Sequence, residues 1–220
     1  MRDLDAIATR SSVLQPLWCL LTDTSNDPIA THFERSREAL QRATRDAALL
    51  ATTKAIAAAI IAALLAGNKL LLIGNGGSAA DAQHIAAEIV GRYKQDRPAY
   101  AAIALTTDTS ALTAVGNDYG FEQVFARQLE GLGQRGDVLM ALTTSGRSPN
   151  ILAALRTARQ RGLVTVGFTG MGGETLGAHC EHLFISPTDD TPVIQQIHLT
   201  AAHAICDAVE QEMMQRATRP

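Results

Sequence analysis

Apolar and polar positions first keep a helical period and then break into short apolar runs. Within about Ala30 to Leu50, the stretch HFERSREALQRATRDAALL places its apolar residues on one helical face. A second, alanine-rich helix is expected from about Thr52 to Gly67, since glycine favours a helix C-terminus. Two helices ahead of any strand suggest an α-hairpin that packs on the domain or on another subunit. From Lys69 onward the pattern alternates. Lys69–Ile73 (KLLLI) is a continuous apolar run, as in a strand buried on both faces, and similar runs occur at Ala101–Leu105, Val138–Leu142, Val164–Phe168 and His182–Ile185. Helical stretches separate them at about Ala79–Val90, Phe121–Leu132 and Pro149–Arg161, and a last one runs from Pro192 to about Gln215. This alternation predicts an α/β fold, a parallel five-stranded sheet with helices on both faces, whose ligands bind beyond the carboxyl ends of the strands.

The segment before this pattern, residues 1–29, has no clear period and closes on a turn-like cluster, Thr24-Ser25-Asn26-Asp27-Pro28. It reads as an irregular extension, followed by one domain over residues 30–220. Its first residues carry acids, and Gln15 and Pro16 interrupt its short apolar run, which makes a poor signal peptide. The most apolar stretch, Ala55–Ala66, is shorter than the ~20 residues a bilayer crossing needs, so a cytoplasmic protein is expected.

Composition narrows the chemistry. The 220 residues are 46% hydrophobic and 19% charged, enough for a buried core and too apolar for a disordered polymer. A net charge of −3 gives no electrostatic case for nucleic acid or an acidic membrane as a partner. Cys19, Cys180 and Cys206 are too few and too widely spaced for a disulfide scaffold or a cysteine zinc motif, and fit a reducing compartment.

Four places carry candidate chemistry. Gly74-Asn75-Gly76-Gly77-Ser78-Ala79 follows the first strand and opens a helix, where free N–H groups and absent side chains suit an anion. It also matches the dinucleotide fingerprint, but the region Arg97 to Ala104 lacks the acid which that fingerprint expects after the second strand. A glycine turn without a ligand is the bland alternative. Thr143-Thr144-Ser145-Gly146-Arg147-Ser148 sets four hydroxyls and Arg147 before a helix, a cradle for a phosphate monoester, against the simpler reading that Ser148 caps the helix. His84 and Glu88 lie four apart and share a helical face, either as an idle surface pair or as a pair for a divalent metal or acid–base work. On the last helix Gln195 and His203 are about 80° apart, whereas His198 is about 140° from His203 and reads as a packing or interface residue.

Together the blocks GNGGSAADAQHIAAEIVGRY, LTTDTSALTAVGNDYG, TTSGRSPNI and IQQIHLTAAH resemble the phosphoheptose isomerase family, within the wider sugar-isomerase (SIS) domain group, over about Ala30 to Glu212. The resemblance implies a flavodoxin-like three-layer sandwich, a homotetramer with active sites between subunits, and isomerisation of sedoheptulose 7-phosphate to D-glycero-D-manno-heptose 7-phosphate, the first step toward the ADP-heptose of the lipopolysaccharide core. It implies substrate contacts at Asn75, Gly76, Gly77, Ser78, Glu88, Asn117, Asp118, Thr143, Thr144, Ser145, Ser148 and Gln195. It makes Glu88 and His203 the catalytic pair, and His84, Glu88, Gln195 and His203 the ligands of one zinc ion per subunit. A Glu88 that is ligand and base at once loses basicity, so the two roles compete. Thr143 stands where many relatives have Ser and keeps the hydroxyl. The rival class is a non-catalytic SIS-domain protein of the replication-initiator-associating type. It lacks the Glu and the second His that stand here at Glu88 and His203.

Overall fold

The computed structural model of the protein describes residues 27–217. The extension expected over residues 1–29 therefore lies, apart from its last three residues, outside the described residues, as does Cys19. Contacts group the chain into a unit through Arg37 and a second from Glu38. In the first, Asp27 Oδ1 accepts from Ile29 N at 2.8 Å and starts the opening helix at Pro28.

Helix α1 spans Pro28–Arg45 and α2 spans Ala47–Leu65. The break falls earlier than the apolar pattern placed it, because Asp46 caps α2: its carboxylate accepts from Ala48 N at 2.9 Å and Leu49 N at 3.0 Å. With its start moved back, α2 is long and apolar enough to cross a membrane by length and composition alone, which corrects the shorter stretch read from the sequence. In the fold one side of it, with Ile56, Ala57, Ile60 and Ala63 buried, packs against β5 and the last helix, and Leu50 and Leu65 stay exposed.

The chain then alternates through β1 (Leu70–Gly74), α3 (Gly77–Val90), β2 (Ala102–Ala104), α4 (Thr109–Tyr119), α5 (Ala126–Leu132), β3 (Val138–Leu142), α6 (Pro149–Arg161), β4 (Val164–Gly170), β5 (His182–Ser186) and α7 (Thr191–Ala217). All strand pairs are parallel, in the order β2-β1-β3-β4-β5. This is the flavodoxin-like order. One apolar layer joins α2, α3 and α7 to the sheet, and the other joins α5 and α6. β1 and β3 are buried along their whole length, as continuous apolar runs require. β2 is shorter than expected and lies at the sheet edge, where Ile103 stays 39% exposed.

Two departures have local causes. α4 buries none of its residues and so shows no apolar stripe; what starts it is Asp108, which accepts from Ala111 N at 2.9 Å. The helix expected over Phe121–Leu132 divides into a 3₁₀ turn at Phe121–Gln123 and α5.

His198 is a packing residue. It is fully buried in α7, with Nε2 3.2 Å from Thr169 O and the rings of Phe168 and Phe184 edge-on to it. Burial lowers its pKa to about 4, against a weaker opposing effect of the Thr169 carbonyl, so it is neutral in the fold. The unfolded chain binds this proton below about pH 6.5 and the folded chain does not, so stability is lost as pH falls from about 6.5 to about 4, by roughly 3 kcal/mol in all. In denaturant unfolding at pH 7.5 and 4.5, His198→Met will lose at least ~2 kcal/mol less than the wild type on acidification. Equal losses would remove His198 as the source.

Candidate active site

β1 and β3 are neighbours that pair Gly74 with Leu142, so the loops that follow them stand side by side at the carboxyl edge of the sheet. With β2 on one side of β1 and β3 on the other, this is the point where the strand order reverses, the place where open α/β sheets take their ligands. A reciprocal amide pair ties the two loops: Asn75 Nδ2 donates to Asn150 Oδ1 at 3.0 Å and Asn150 Nδ2 to Asn75 Oδ1 at 2.8 Å. Asn150 is buried and its Oδ1 also accepts from Ile151 N, in the first turn of α6. Sequence reasoning missed Asn150 because its partner is far away along the chain.

The glycines of the first loop answer specific contacts. A Cβ on Gly74 would lie 2.4 Å from the Ser78 carbonyl oxygen, so the chain turns into α3 only with glycine there. Gly76 has φ +56°, in the left-handed region. A Cβ on Gly77 would meet the Gln195 amide at 2.6 Å, so Gln195 of α7 lies against the N-terminus of α3. Ser78 is buried in the first turn of that helix.

In the second loop Thr143 Oγ1 accepts from Gly146 N and Ser145 Oγ from Arg147 N, both at 3.3 Å. Ser148 occupies the N-cap position of α6 but makes no side-chain cap bond, so the cap does not account for its hydroxyl. Thr144, Ser145 and Arg147 face Asp189 and Thr191, ahead of and at the start of α7, across a cavity of about 200 Å³. That volume suits a small polar group.

On α3 and α7 the structure gathers three of the four expected metal ligands. His84 Nε2 lies 3.2 Å from Glu88 Oε1 and 3.1 Å from His203 Nε2. The donor atoms of the three all lie within 4.8 Å of one another. Two imidazole nitrogens and a carboxylate oxygen at this spacing fit a borderline divalent cation such as zinc, and the half-exposed His84 leaves the cluster open to solvent. The Tyr93 ring stacks on the His203 imidazole at 5.7 Å between centroids. One turn before His84, Asp81 keeps Oδ2 buried without a hydrogen-bond partner; burial raises its pKa, with His84 opposing. Asn117 and Asp118 stand apart from these contacts, exposed on the last turn of α4 and bonded to each other at 2.8 Å. Cys180 and Cys206 are free thiols whose pKa burial pushes up to about 12, which leaves them poor nucleophiles.

The SIS domain family matches residues 31–170. The chain is 66% identical over 197 residues to the phosphoheptose isomerase of Bradyrhizobium sp. (strain ORS 278), an alignment covering 90% of this chain and 100% of that protein. It is 53% identical over 165 residues to that of Burkholderia pseudomallei (strain 1710b), covering 75% of this chain and 84% of the other. Among solved structures, the phosphoheptose isomerase from Francisella tularensis superposes with a TM-score of 0.81 at 37% identity, covering 86% of this chain and 99% of that one. The enzyme from Neisseria gonorrhoeae does so at 0.78 and 42%, covering 83% and 97%. The expected family is thereby shown, and the chain belongs to the phosphoheptose isomerases of the SIS-domain group.

Proposed function

We propose that the chain converts sedoheptulose 7-phosphate to D-glycero-D-manno-heptose 7-phosphate through an enediol, the first step of ADP-heptose synthesis for the lipopolysaccharide core. The observation that carries this reading, in a chain of this family, is the cluster of His84, Glu88 and His203 on two helices packed together, α3 and α7.

The reaction moves one proton from C1 to C2 and another between O1 and O2, with no net oxidation. Glu88 takes the C1 proton as a carboxylate, the C1–H electron pair becomes the C1–C2 double bond of the enediol, and the same carboxylic acid returns a proton to C2. His203 serves the oxygens, giving a proton to O2 as the carbonyl becomes a hydroxyl and taking one from O1 as the aldehyde forms. The 143–148 loop receives the 7-phosphate through Thr143, Thr144, Ser145 and Ser148, and the N-terminal amides of α6 favour its charge. Asn75, Gly76, Gly77 and Ser78 line the sugar, with Gln195 beside them. Asn117 and Asp118 are assigned to substrate as well; because α4 is exposed, they reach a site completed by a second subunit of a homotetramer. Exposed Leu40, Leu50 and Leu65 on α1 and α2 support such an assembly.

His84, Glu88, Gln195 and His203 are the residues that would hold one zinc ion per subunit. When bound, the ion supplies a positive charge that polarises the substrate carbonyl and offsets charge on the enediol oxygens. A phosphorylated substrate and the free, buried Cys206 agree with a cytoplasmic enzyme.

The purified protein incubated with sedoheptulose 7-phosphate will form the aldose phosphate, and sedoheptulose without its phosphate will be a far poorer substrate. Equal rates on both sugars would take the 143–148 loop out of substrate recognition.

A further inference from the structure

The segment between α3 and β2 has no part in the reaction as assigned, yet it holds the most enclosed ion pair among the described residues. Arg97 and Glu210 are each 1% exposed and meet Nε to Oε1 at 2.9 Å. The Glu210 carboxylate also accepts the backbone N–H groups of Tyr93 at 2.9 Å, Lys94 at 2.9 Å and Gln95 at 3.0 Å. Arg97 donates through Nη2 to the Glu88 carbonyl oxygen at 2.8 Å, and through Nη1 to those of Ile89 and Pro98, both at 3.0 Å. Burial by itself would raise the Glu210 pKa, but the three amides and the guanidinium outweigh it and hold the carboxyl below its usual range. A buried ion pair costs more than it returns unless its remaining donors and acceptors are satisfied; here the bonds run to main chain on both sides.

What those bonds hold is specific. Arg97 closes the last turn of α3 at the residue that bears the Glu88 carboxylate, with a cation at the negative end of the helix. Glu210 stands two turns beyond His203 on α7 and draws in the Tyr93 backbone, while the Tyr93 ring stacks on His203, the planes inclined by 29°. One ion pair therefore touches the supports of both members of the acid–base pair and neither of their reacting atoms.

We propose that Arg97 and Glu210 are positioning residues for the isomerisation, setting Glu88 through its main chain and His203 through Tyr93. The proposal rests on Glu88 and His203 being the acid–base pair. Proton transfer is sensitive to such placement, since a shift of ~1 Å at a reacting group costs on the order of 10²-fold in rate.

The test uses three full-length variants. Arg97→Met/Glu210→Leu replaces the ion pair by apolar side chains of similar size, and it also leaves the main-chain groups that the pair satisfies without partners. It is therefore read where it folds; where it does not, an Arg97→Lys variant with wild-type kcat and an unmoved His203 signal overturns the proposal. Arg97→Lys keeps the charge and loses the fork that reaches the Glu88 carbonyl. Tyr93→Leu removes the stack on His203, together with the contact of Lys94 on the Tyr93 ring, and leaves the ion pair in place. For each variant, kcat, KM, the thermal unfolding midpoint and the proton NMR signal of the His203 ring, assigned by its loss in His203→Gln, are compared with the wild type. In the folded double variant, kcat will fall about 10- to 100-fold with KM within about threefold, and the His203 signal will move toward its position in Tyr93→Leu. Arg97→Lys will lower kcat in the same sense. A folded double variant with wild-type kcat and an unmoved His203 signal overturns the proposal. The NMR signal needs no turnover, so it still decides the positioning role if the wild type fails to isomerise the sugar, a result that would instead sink the assigned function.

Discussion

Glu88→Gln will lower kcat by about 10³-fold while leaving the unfolding midpoint within a few degrees of the wild type. The amide is nearly isosteric with the carboxylate and can still accept from His84, whose Nε2 lies 3.2 Å from Glu88 Oε1. It cannot take a proton from carbon. The loss should appear in kcat far more than in KM, because the missing interaction is made as the C1–H bond breaks. Since the Glu88 side chain is 23% exposed, the substitution strands no deeply buried charge and the fold is preserved. A variant that isomerises at the wild-type rate would remove Glu88 from proton transfer.

His203→Gln will show two losses together. The first is a fall in kcat of about 10²- to 10⁴-fold, because no other imidazole described here faces Glu88 from α7: His198 is buried on another side of the helix, against Thr169. The second is a weaker grip on Zn²⁺ titrated into the metal-free protein. Loss of an outer-sphere partner alone costs about 10- to 100-fold in affinity, so loss of a donor 3.1 Å from His84 Nε2 will cost at least as much. Unchanged Zn²⁺ affinity in this variant would take His203 out of the ligand set and leave it only the proton transfer at oxygen. In the wild type, chelation will depress turnover and added Zn²⁺ will restore it. Full turnover in metal-free protein would make the ion dispensable.

What the chain discloses before folding depends on the range of the interaction. The glycine loop after β1 is readable because sterics act within a few residues: Gly74 meets Ser78 and Gly76 needs a positive φ. His84 and Glu88 are readable because a helix sets residues four apart on one face. The five strands are readable as apolar runs, and only β2 misleads, since an edge position leaves Ile103 exposed. Other features left no periodic mark. The Asp46 cap that starts α2 sits inside a pattern that reads as one continuous helix, and α4 has no buried face to show a period. Asn150, Tyr93, Arg97 and Glu210 act through partners that lie far away along the chain, apart from the short reach of Arg97 to the end of α3. Buried amides and ion pairs of this kind follow no spacing rule. The convergence of His203 with His84 is intermediate: the helical angle separates His203 from His198, but only the packing of α7 on α3 brings its ring to His84.

The most direct test starts the reaction from both sides. Purified wild-type protein is added to sedoheptulose 7-phosphate in one tube and to D-glycero-D-manno-heptose 7-phosphate in another, each with Zn²⁺, and both sugars are followed by carbon-13 NMR. The two tubes will converge on the same ketose-to-aldose ratio, and matched tubes with Glu88→Gln will stay near their starting compositions over the same time. Unchanged sugar in both wild-type tubes, with and without metal, would contradict the account.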